Sequence, residues 1–183
     1  MNITKRKLLI LDLDETLLFS STQSLERKED FKVAGYYVYL RPGLDTFLKF
    51  CFINYDVAVW TSSSSDYAEL VIKNIFQDSS KLKFIWSRER CTQKYNHERN
   101  QYYWIKKLKK VKRIGFDLAS VIMIDDIPEK LERNYGNHIY ITPYYGGRDN
   151  DELEHLQKYL ITLIDVPNVR QIEKRGWKRK YIH

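Results

Sequence analysis

The stretch KLLILDLDETL, running from Lys7 to Leu17, carries the strongest structural pattern in this chain. Four consecutive apolar residues, Leu8 to Leu11, are typical of a strand that is buried on both faces of a parallel sheet. The apolar run stops at Asp12, and a second carboxylate, Asp14, follows two residues later. Ligands bind at the carboxyl ends of strands in open parallel sheets, so this pair of carboxylates predicts a functional site. An acidic turn without any chemistry would present the same two residues.

Two further apolar runs end in polar residues in the same way. Tyr55–Trp60 is followed by Thr61 and a run of serines, and Val121–Ile124 is followed by two aspartates. Segments with helical spacing of apolar residues separate these runs, and this alternation predicts an α/β fold with a central parallel sheet flanked by helices. We predict helices at Leu44–Ile53, Asp66–Phe76, Gln101–Lys112, Pro128–Arg133 and Asp151–Ile164, and further strands at Lys83–Ser87 and His138–Ile141.

The length and composition fit one soluble domain covering residues 1–183. A chain of 183 residues with 43% hydrophobic and 30% charged residues is long enough to bury one core. Insertions at about 20–40, predicted to hold a strand or hairpin, and at about 83–100 are too short for a separate cap domain. The apolar runs are too short to cross a bilayer and no signal-peptide pattern is present, so we expect no membrane partner and a cytoplasmic protein.

The chain is basic, with a formal net charge of +7. Much of this charge lies in the run Lys106–Arg113 and in the tail 166–183. Such runs are often only solvated faces, but they would also attract a phosphorylated protein or a nucleic acid. Cys51 and Cys91 are expected to be free thiols.

The second and third polar strand ends complete the predicted site. Thr61 and the serines after it precede a helix, where backbone amides and hydroxyls hold phosphate oxygens well, although simple helix capping needs the same residue types. Asp125 and Asp126 could form a turn, but two acidic clusters at one sheet edge repel each other unless a cation lies between them. Hard oxygen ligands of this kind favour Mg²⁺.

In their order along the chain, these motifs resemble those of a known family. Asp12–Leu17 resembles the first motif of the haloacid dehalogenase (HAD) superfamily. Arg41–Leu44, Trp60–Ser63 and Arg88–Cys91 are similar to its FCP/SCP-like branch, the NLI-interacting-factor-like or C-terminal-domain phosphatases. The resemblance implies a Rossmann-like HAD fold with small β insertions and no large cap domain.

The resemblance also implies a role for each motif residue. Asp12 would be the nucleophile, and Asp14 would be the general acid and base that also gives Mg²⁺ its main-chain carbonyl. Thr61 would bind the phosphoryl oxygens together with the amides of Leu13 and Ser62. The remaining metal ligands would be Asp12, Asp125 and Asp126, directly or through water.

A lysine of the third motif is expected to neutralise the phosphoryl charge. Both Lys106-Lys107-Leu108 and Lys109-Lys110-Val111 imitate the family pattern, and we prefer Lys106. Arg88 is expected either to contact the substrate or to be an exposed strand-end charge. The aromatic residues Tyr102, Tyr103 and Trp104 line the substrate groove or pack against the core, and Trp177 is predicted to anchor the tail.

These inferences converge on a Mg²⁺-dependent phosphomonoester hydrolase with an aspartyl-phosphate intermediate, acting on phosphoserine or phosphothreonine in a protein. A nucleic-acid or small-molecule phosphatase with the same mechanism is the nearest alternative. A catalytically inactive phosphate-binding or scaffold module is the third possibility, and it predicts loss of the acidic motifs. Here all of the acidic motif residues are present.

Overall fold

The computed structural model describes residues 6–98 and 100–180. The ends of the predicted 1–183 domain, residue 99 within the second insertion and the last three residues of the basic tail lie outside this part of the chain.

The elements alternate as the sequence predicts for the α/β class. In chain order they are β1 (Leu8–Leu11), β2 (Leu18–Ser21), β3 (Phe31–Val33), β4 (Tyr36–Leu40), α1 (Leu44–Asn54), β5 (Asp56–Trp60), α2 (Ser65–Ile75), β6 (Ile85–Trp86), β7 (Thr92–Asn96), β8 (Gln101–Ile105), α3 (Lys109–Arg113), β9 (Val121–Asp125), β10 (His138–Tyr140) and α4 (Glu152–Ile161). Short 3₁₀ turns connect several of them, among them Pro128–Leu131.

The central sheet has five parallel strands in the order β10-β9-β1-β5-β6. The strand β1 lies in the middle, with Leu11 opposite Val59 on one side and Ile124 on the other. Because the strands are parallel, the residues that follow them meet at one edge of the sheet. The predicted central parallel sheet is confirmed, and its carboxyl edge carries Asp12, Thr61 and Asp126.

Apolar cores fill both faces of this sheet. Alternate residues of β1 point to opposite faces, as the period of a strand requires. Leu9 and Leu11 pack with residues of α1, α2 and α4, whereas Leu8 and Ile10 pack with Trp60 and with residues around α3. Burial on both faces explains why β1 is apolar without interruption.

Two small antiparallel units lie outside the central sheet, and the second extends past the predicted insertion at about 83–100, whose first part holds β6 of the central sheet. The first is a three-stranded sheet in the order β2-β4-β3, and the second is the β7–β8 hairpin. The predicted helix at Gln101–Lys112 is wrong, because Gln101–Ile105 is the second strand of this hairpin and the helix covers only Lys109–Arg113. Aromatic and β-branched side chains favour a strand in QYYWI, and Thr92–Asn96 supplies its pairing partner.

Smaller differences concern the ends of elements. The strand predicted at Lys83–Ser87 is only Ile85–Trp86, and the predicted helix after Pro128 is a single 3₁₀ turn. The last helix ends at Ile161, before the predicted Ile164. Within residues 6–98 and 100–180, no helix has the length and apolar character needed to cross a bilayer.

The tail docks onto the domain through Trp177, as predicted. Its indole N–H donates a hydrogen bond of 2.7 Å to the carbonyl oxygen of Tyr140, and its ring stacks on Tyr159 at 5.5 Å between ring centroids. The contact joins the tail to β10 and α4.

Candidate active site at the carboxyl edge of the sheet

Asp12 is the buried centre of the site. One carboxylate oxygen, Oδ1, lies 3.0 Å from Nζ of Lys106 and accepts the Leu13 amide at 2.9 Å, while Oδ2 lies 2.7 Å from Nζ of Lys130. Burial alone would raise the pKa of Asp12, but the two ammonium groups hold it well below its usual range. Asp12 is therefore an ionised carboxylate held in a fixed orientation.

Lys106, and not Lys109, reaches this centre. It follows the last residue of β8, its side chain is fully buried, and its ammonium group also lies 2.6 Å from Oδ2 of Asp125. Lys109 begins α3 and is exposed to solvent. The structure thus places the preferred lysine next to Asp12, at a strand end and not on the predicted helix, and its role in binding phosphate stays a prediction.

Three buried carboxylates, those of Asp12, Asp125 and Asp126, lie close enough together to hold a metal ion. One oxygen of each lies within 4.8 Å of the others. Oδ1 of Asp126 is buried and receives no hydrogen bond from any described residue. Burial first of all, together with neighbouring carboxylates, raises the pKa of Asp126 to about 6 and that of Glu15 to about 7. Two ammonium groups, those of Lys106 and Lys130, form ion pairs with these three carboxylates, so one negative charge is left for a cation, and this donor set fits Mg²⁺.

Lys130 is a site residue that the sequence analysis missed. It lies on the 3₁₀ turn Pro128–Leu131, and its ammonium group is 3.3 Å from Oδ1 of Asp125 and 3.8 Å from Oδ1 of Asp126, besides its contact with Asp12. Burial lowers the pKa of Lys130, but the surrounding carboxylates outweigh burial and raise it overall. Lys130 lies four residues after Asp126, the spacing of neighbouring side chains on a helical turn, and this spacing is a signal that could have indicated their contact.

Asp14 faces a different wall of the site. Its Oδ1 accepts a hydrogen bond of 2.6 Å from the Tyr67 hydroxyl, and its Oδ2 accepts one of 2.7 Å from the Ser63 hydroxyl. Burial raises the pKa of Asp14, and these two hydrogen bonds partly offset the rise. The carboxylate of Asp14 does not belong to the cluster of three that could hold a metal. Tyr67, on α2, is a second neighbour that the sequence analysis did not identify.

The expected phosphate-binding residues lie between β5 and α2. Thr61 is buried, and its hydroxyl oxygen accepts the amide of Ser63 at 3.0 Å. Ser62 is half-buried, and its carbonyl oxygen accepts a hydrogen bond of 2.8 Å from Nε of Arg88. The helix α2 follows directly, so its first amides lie beside these residues.

Arg88 lines an open cleft next to Asp14. The cleft has a volume of about 370 Å³, and its lining includes Ser63, Tyr67 and Tyr36. The Arg88 guanidinium lies 5.9 Å from the ring centre of Trp104. Arg88 is exposed and shares the lining of this cleft with Asp14, and its contact with a substrate stays a prediction.

The aromatic residues predicted at helical spacing lie instead on the β7–β8 hairpin. Trp104 is half-buried beneath Arg88, whereas Tyr102 is 65% exposed and contacts the ring of Tyr95. Tyr103 lies on the opposite face of the strand, beside Glu132. Trp104 packs against the core on the Trp60 face of the sheet, as one of the two alternatives predicted, whereas Tyr102 does not, and strand alternation places Tyr103 on the other face of the hairpin.

Comparison with known proteins gives one consistent result. Residues 7–170 match the family model described as NLI interacting factor-like phosphatase. A probable C-terminal domain small phosphatase of Dictyostelium discoideum is 31% identical over 91% of this chain and 53% of its own length. A putative CTD phosphatase-like protein of Invertebrate iridescent virus 3 is 30% identical over 88% of this chain and 99% of its own length. The chain thus spans about half of the first relative and nearly all of the second.

Solved structures show the same fold. Fission yeast RNA polymerase II CTD phosphatase Fcp1, in a variant bound to beryllium fluoride, superposes with a TM-score of 0.59 at 20% identity, over 96% of this chain and 54% of that one. A second Fcp1 structure gives a TM-score of 0.58 at 22% identity, over 96% and 52%. The predicted Rossmann-like HAD fold is confirmed.

Proposed function

This chain belongs to the NLI interacting factor-like phosphatase family, and from that membership we propose that it hydrolyses phosphate monoesters with Asp12 as the nucleophile. The observation that supports this best is the position of Asp12, an ionised and buried carboxylate at the end of the central strand, between two lysines. An ionised carboxylate is the form that attacks phosphorus.

The proposed reaction has two steps. In the first, an oxygen of Asp12 attacks phosphorus, the bond from phosphorus to the leaving alcohol breaks, and Asp14 gives its proton to that alcohol. In the second, Asp14 takes a proton from water, the water oxygen attacks phosphorus, and the bond to Asp12 breaks to release inorganic phosphate. The raised pKa of Asp14 supports its role as proton donor.

The phosphoryl oxygens carry negative charge that the site must stabilise. We assign the binding of these oxygens to Thr61, to the amides of Leu13 and Ser62, and to the ammonium group of Lys106. Asp12, Asp125 and Asp126, with the main-chain carbonyl of Asp14, would hold Mg²⁺, which when bound supplies positive charge next to these oxygens.

We further propose phosphoserine or phosphothreonine in a protein as the substrate. The names of the similar proteins support this choice, as does the open cleft lined by Arg88 beside Asp14. Small β insertions leave the site accessible to a polypeptide. The net charge of +7 is the feature that favours the alternative of a phosphorylated nucleic acid. Cytoplasmic location stays a prediction.

The test is hydrolysis of an aryl phosphate by the purified chain, with Mg²⁺ and with EDTA. Asp12→Asn should lower kcat by at least about a thousandfold, as expected for loss of a nucleophile. Asp45→Asn, which removes an exposed carboxylate on α1, should leave kcat unchanged. Full activity in Asp12→Asn would contradict the proposed nucleophile, and full activity in EDTA would contradict the metal requirement.

A panel of substrates then tests the substrate class. Phosphoserine and phosphothreonine peptides should be hydrolysed with a higher kcat/KM than oligonucleotides with terminal phosphates. The reverse order, with a KM for oligonucleotides that rises steeply with salt, would favour the nucleic-acid alternative.

A further inference from the structure

The ammonium group of Lys130 lies among the three carboxylates that could hold a metal ion. Its distances are 2.7 Å to Oδ2 of Asp12, 3.3 Å to Oδ1 of Asp125 and 3.8 Å to Oδ1 of Asp126. Only 10% of the Lys130 side chain is exposed. Lys130 is thus the lysine that contacts all three of these carboxylates in the described part of the chain.

A divalent cation and this ammonium group compete for the same oxygens. Mg²⁺ binds carboxylate oxygens at about 2.0–2.1 Å, so an ion shared by the three aspartates would have to enter the space between them. The Lys130 ammonium group already lies there, at hydrogen-bond distance from Asp12. Two cations so close together would also repel each other strongly.

Lys106 holds a different position. It contacts Oδ1 of Asp12 and Oδ2 of Asp125, the opposite oxygens of both residues from those that Lys130 contacts. Among the described residues it makes no ion pair with Asp126. Lys106 therefore supports the carboxylates from the other side, without entering the space between all three.

The binding of Lys130 to the cluster is incomplete in one respect. Oδ1 of Asp126 is buried and accepts no hydrogen bond from the described residues, although the ammonium group lies 3.8 Å away. A smaller ion with several coordination positions would satisfy this oxygen. The flexible four-carbon stem of lysine allows its ammonium group to leave while the turn Pro128–Leu131 stays in place.

We propose that Lys130 occupies the cation position of the metal-free protein, and that Mg²⁺ binds by displacing its ammonium group. This inference rests on the metal site of the proposed function. It makes Lys130 a residue that sets metal affinity, because each binding event must break the contacts of Lys130 with the carboxylates.

The test is direct measurement of metal binding, with Mn²⁺ as the probe and the electron paramagnetic resonance of free Mn²⁺ as the readout. Lys130→Met should bind Mn²⁺ at least about tenfold more tightly than the parent chain, because no ammonium group has to leave. Without metal it should be less stable than the parent, since Asp12 and Asp125 then keep only Lys106 and Asp126 loses its one ion pair among the described residues.

Two matched variants show whether Mn²⁺ affinity rises because the Lys130 ammonium group leaves the metal site or because any positive charge is removed. Lys106→Met loses the same charge at a similar distance from Asp12, and it should gain clearly less affinity than Lys130→Met. Lys109→Met loses an exposed charge and should bind Mn²⁺ as the parent does. If metal-free Lys130→Met does not fold, Lys130→Gln, which keeps an N–H donor, should show the same gain.

Three results would overturn the inference. Equal gains in Lys106→Met and Lys130→Met would show that charge alone sets the affinity. Binding by the parent chain without any gain in the Lys130 variants would refute the displacement and leave the proposed function intact. Absence of Mn²⁺ binding in every variant would refute both the displacement and the metal part of the proposed function.

Discussion

Asp12 and Asp14 lie two residues apart and have opposite electrostatic surroundings. Two ammonium groups contact Asp12 and lower its pKa, whereas Asp14 accepts hydrogen bonds from two half-buried hydroxyl groups and burial raises its pKa. Environments that separate the pKa values of two carboxylates allow one to be ionised while the other carries a proton. This difference is what a nucleophile and a general acid need.

Tyr67→Phe tests the acid role of Asp14. The Tyr67 hydroxyl donates to Asp14 and lowers its pKa, so its removal should raise that pKa further. Because the proposed first step needs protonated Asp14, the alkaline limb of the pH profile of kcat/KM should move to higher pH. Tyr36→Phe removes a hydroxyl from the same cleft and should leave the profile in place. An unchanged profile in Tyr67→Phe would remove Asp14 from the acid role.

Site residues that directly follow apolar strands could be predicted from the sequence. Site residues on other elements could not. Asp12, Thr61 and Asp126 each follow a strand of the parallel sheet, so the carboxyl-edge rule places them together. Lys130 reaches the cluster through the length of its side chain, and Tyr67 from the first turn of α2. Such contacts depend on tertiary packing, which motif spacing does not encode.

The β7–β8 hairpin determines how Lys106 enters the site. As the residue after β8, Lys106 donates its backbone N–H to the carbonyl oxygen of Lys130 at 2.7 Å. The two lysines that contact Asp12 are therefore joined through their backbones. The spacing of apolar residues after Gln101 favoured a helix, because the strand that pairs with Gln101–Ile105, Thr92–Asn96, is mostly polar and has no clear strand pattern of its own.

Ile105→Ala tests the contribution of this hairpin. Ile105 is buried at the end of β8, next to Lys106, and its truncation should lower the free energy of unfolding by about 2–4 kcal/mol. Urea denaturation measures this change. Ile114→Ala, at an exposed position after α3, should cost less than about 0.5 kcal/mol. Equal stability of the two variants would show that the hairpin end does not contribute to the core.

At the scale of the whole molecule, the sheet order accounts for the site. The strand β1 lies between β5 and β9, so the segments after all three strands converge around Asp12. Continuous apolar runs made this arrangement predictable from the sequence. The small antiparallel units were only partly predictable, since their strands are short and half-exposed and carry weaker patterns.

Residues near the end of the described chain pack into the main core of the domain. Trp177 is almost fully buried, stacks on Tyr159 of α4 and donates to Tyr140 of β10. Lys174 supports this segment by donating to the carbonyl oxygens of Gly136 and Ile172. The tail therefore packs against the edge of the central sheet that β10 forms, and β6 forms the opposite edge.

Trp177→Ala should lower the free energy of unfolding by about 3–5 kcal/mol, because it removes a large buried ring from the main core. Trp177→Phe keeps an aromatic ring against Tyr159 but loses the indole hydrogen bond, so a smaller loss of about 1 kcal/mol is expected. Thermal unfolding followed by circular dichroism measures both. Below its unfolding transition Trp177→Ala should retain kcat, since the hydrogen bond and the ring contact of Trp177 within the described residues are with Tyr140 and Tyr159 and not with a proposed catalytic residue. A loss of kcat without a loss of stability would instead connect the tail directly to the site.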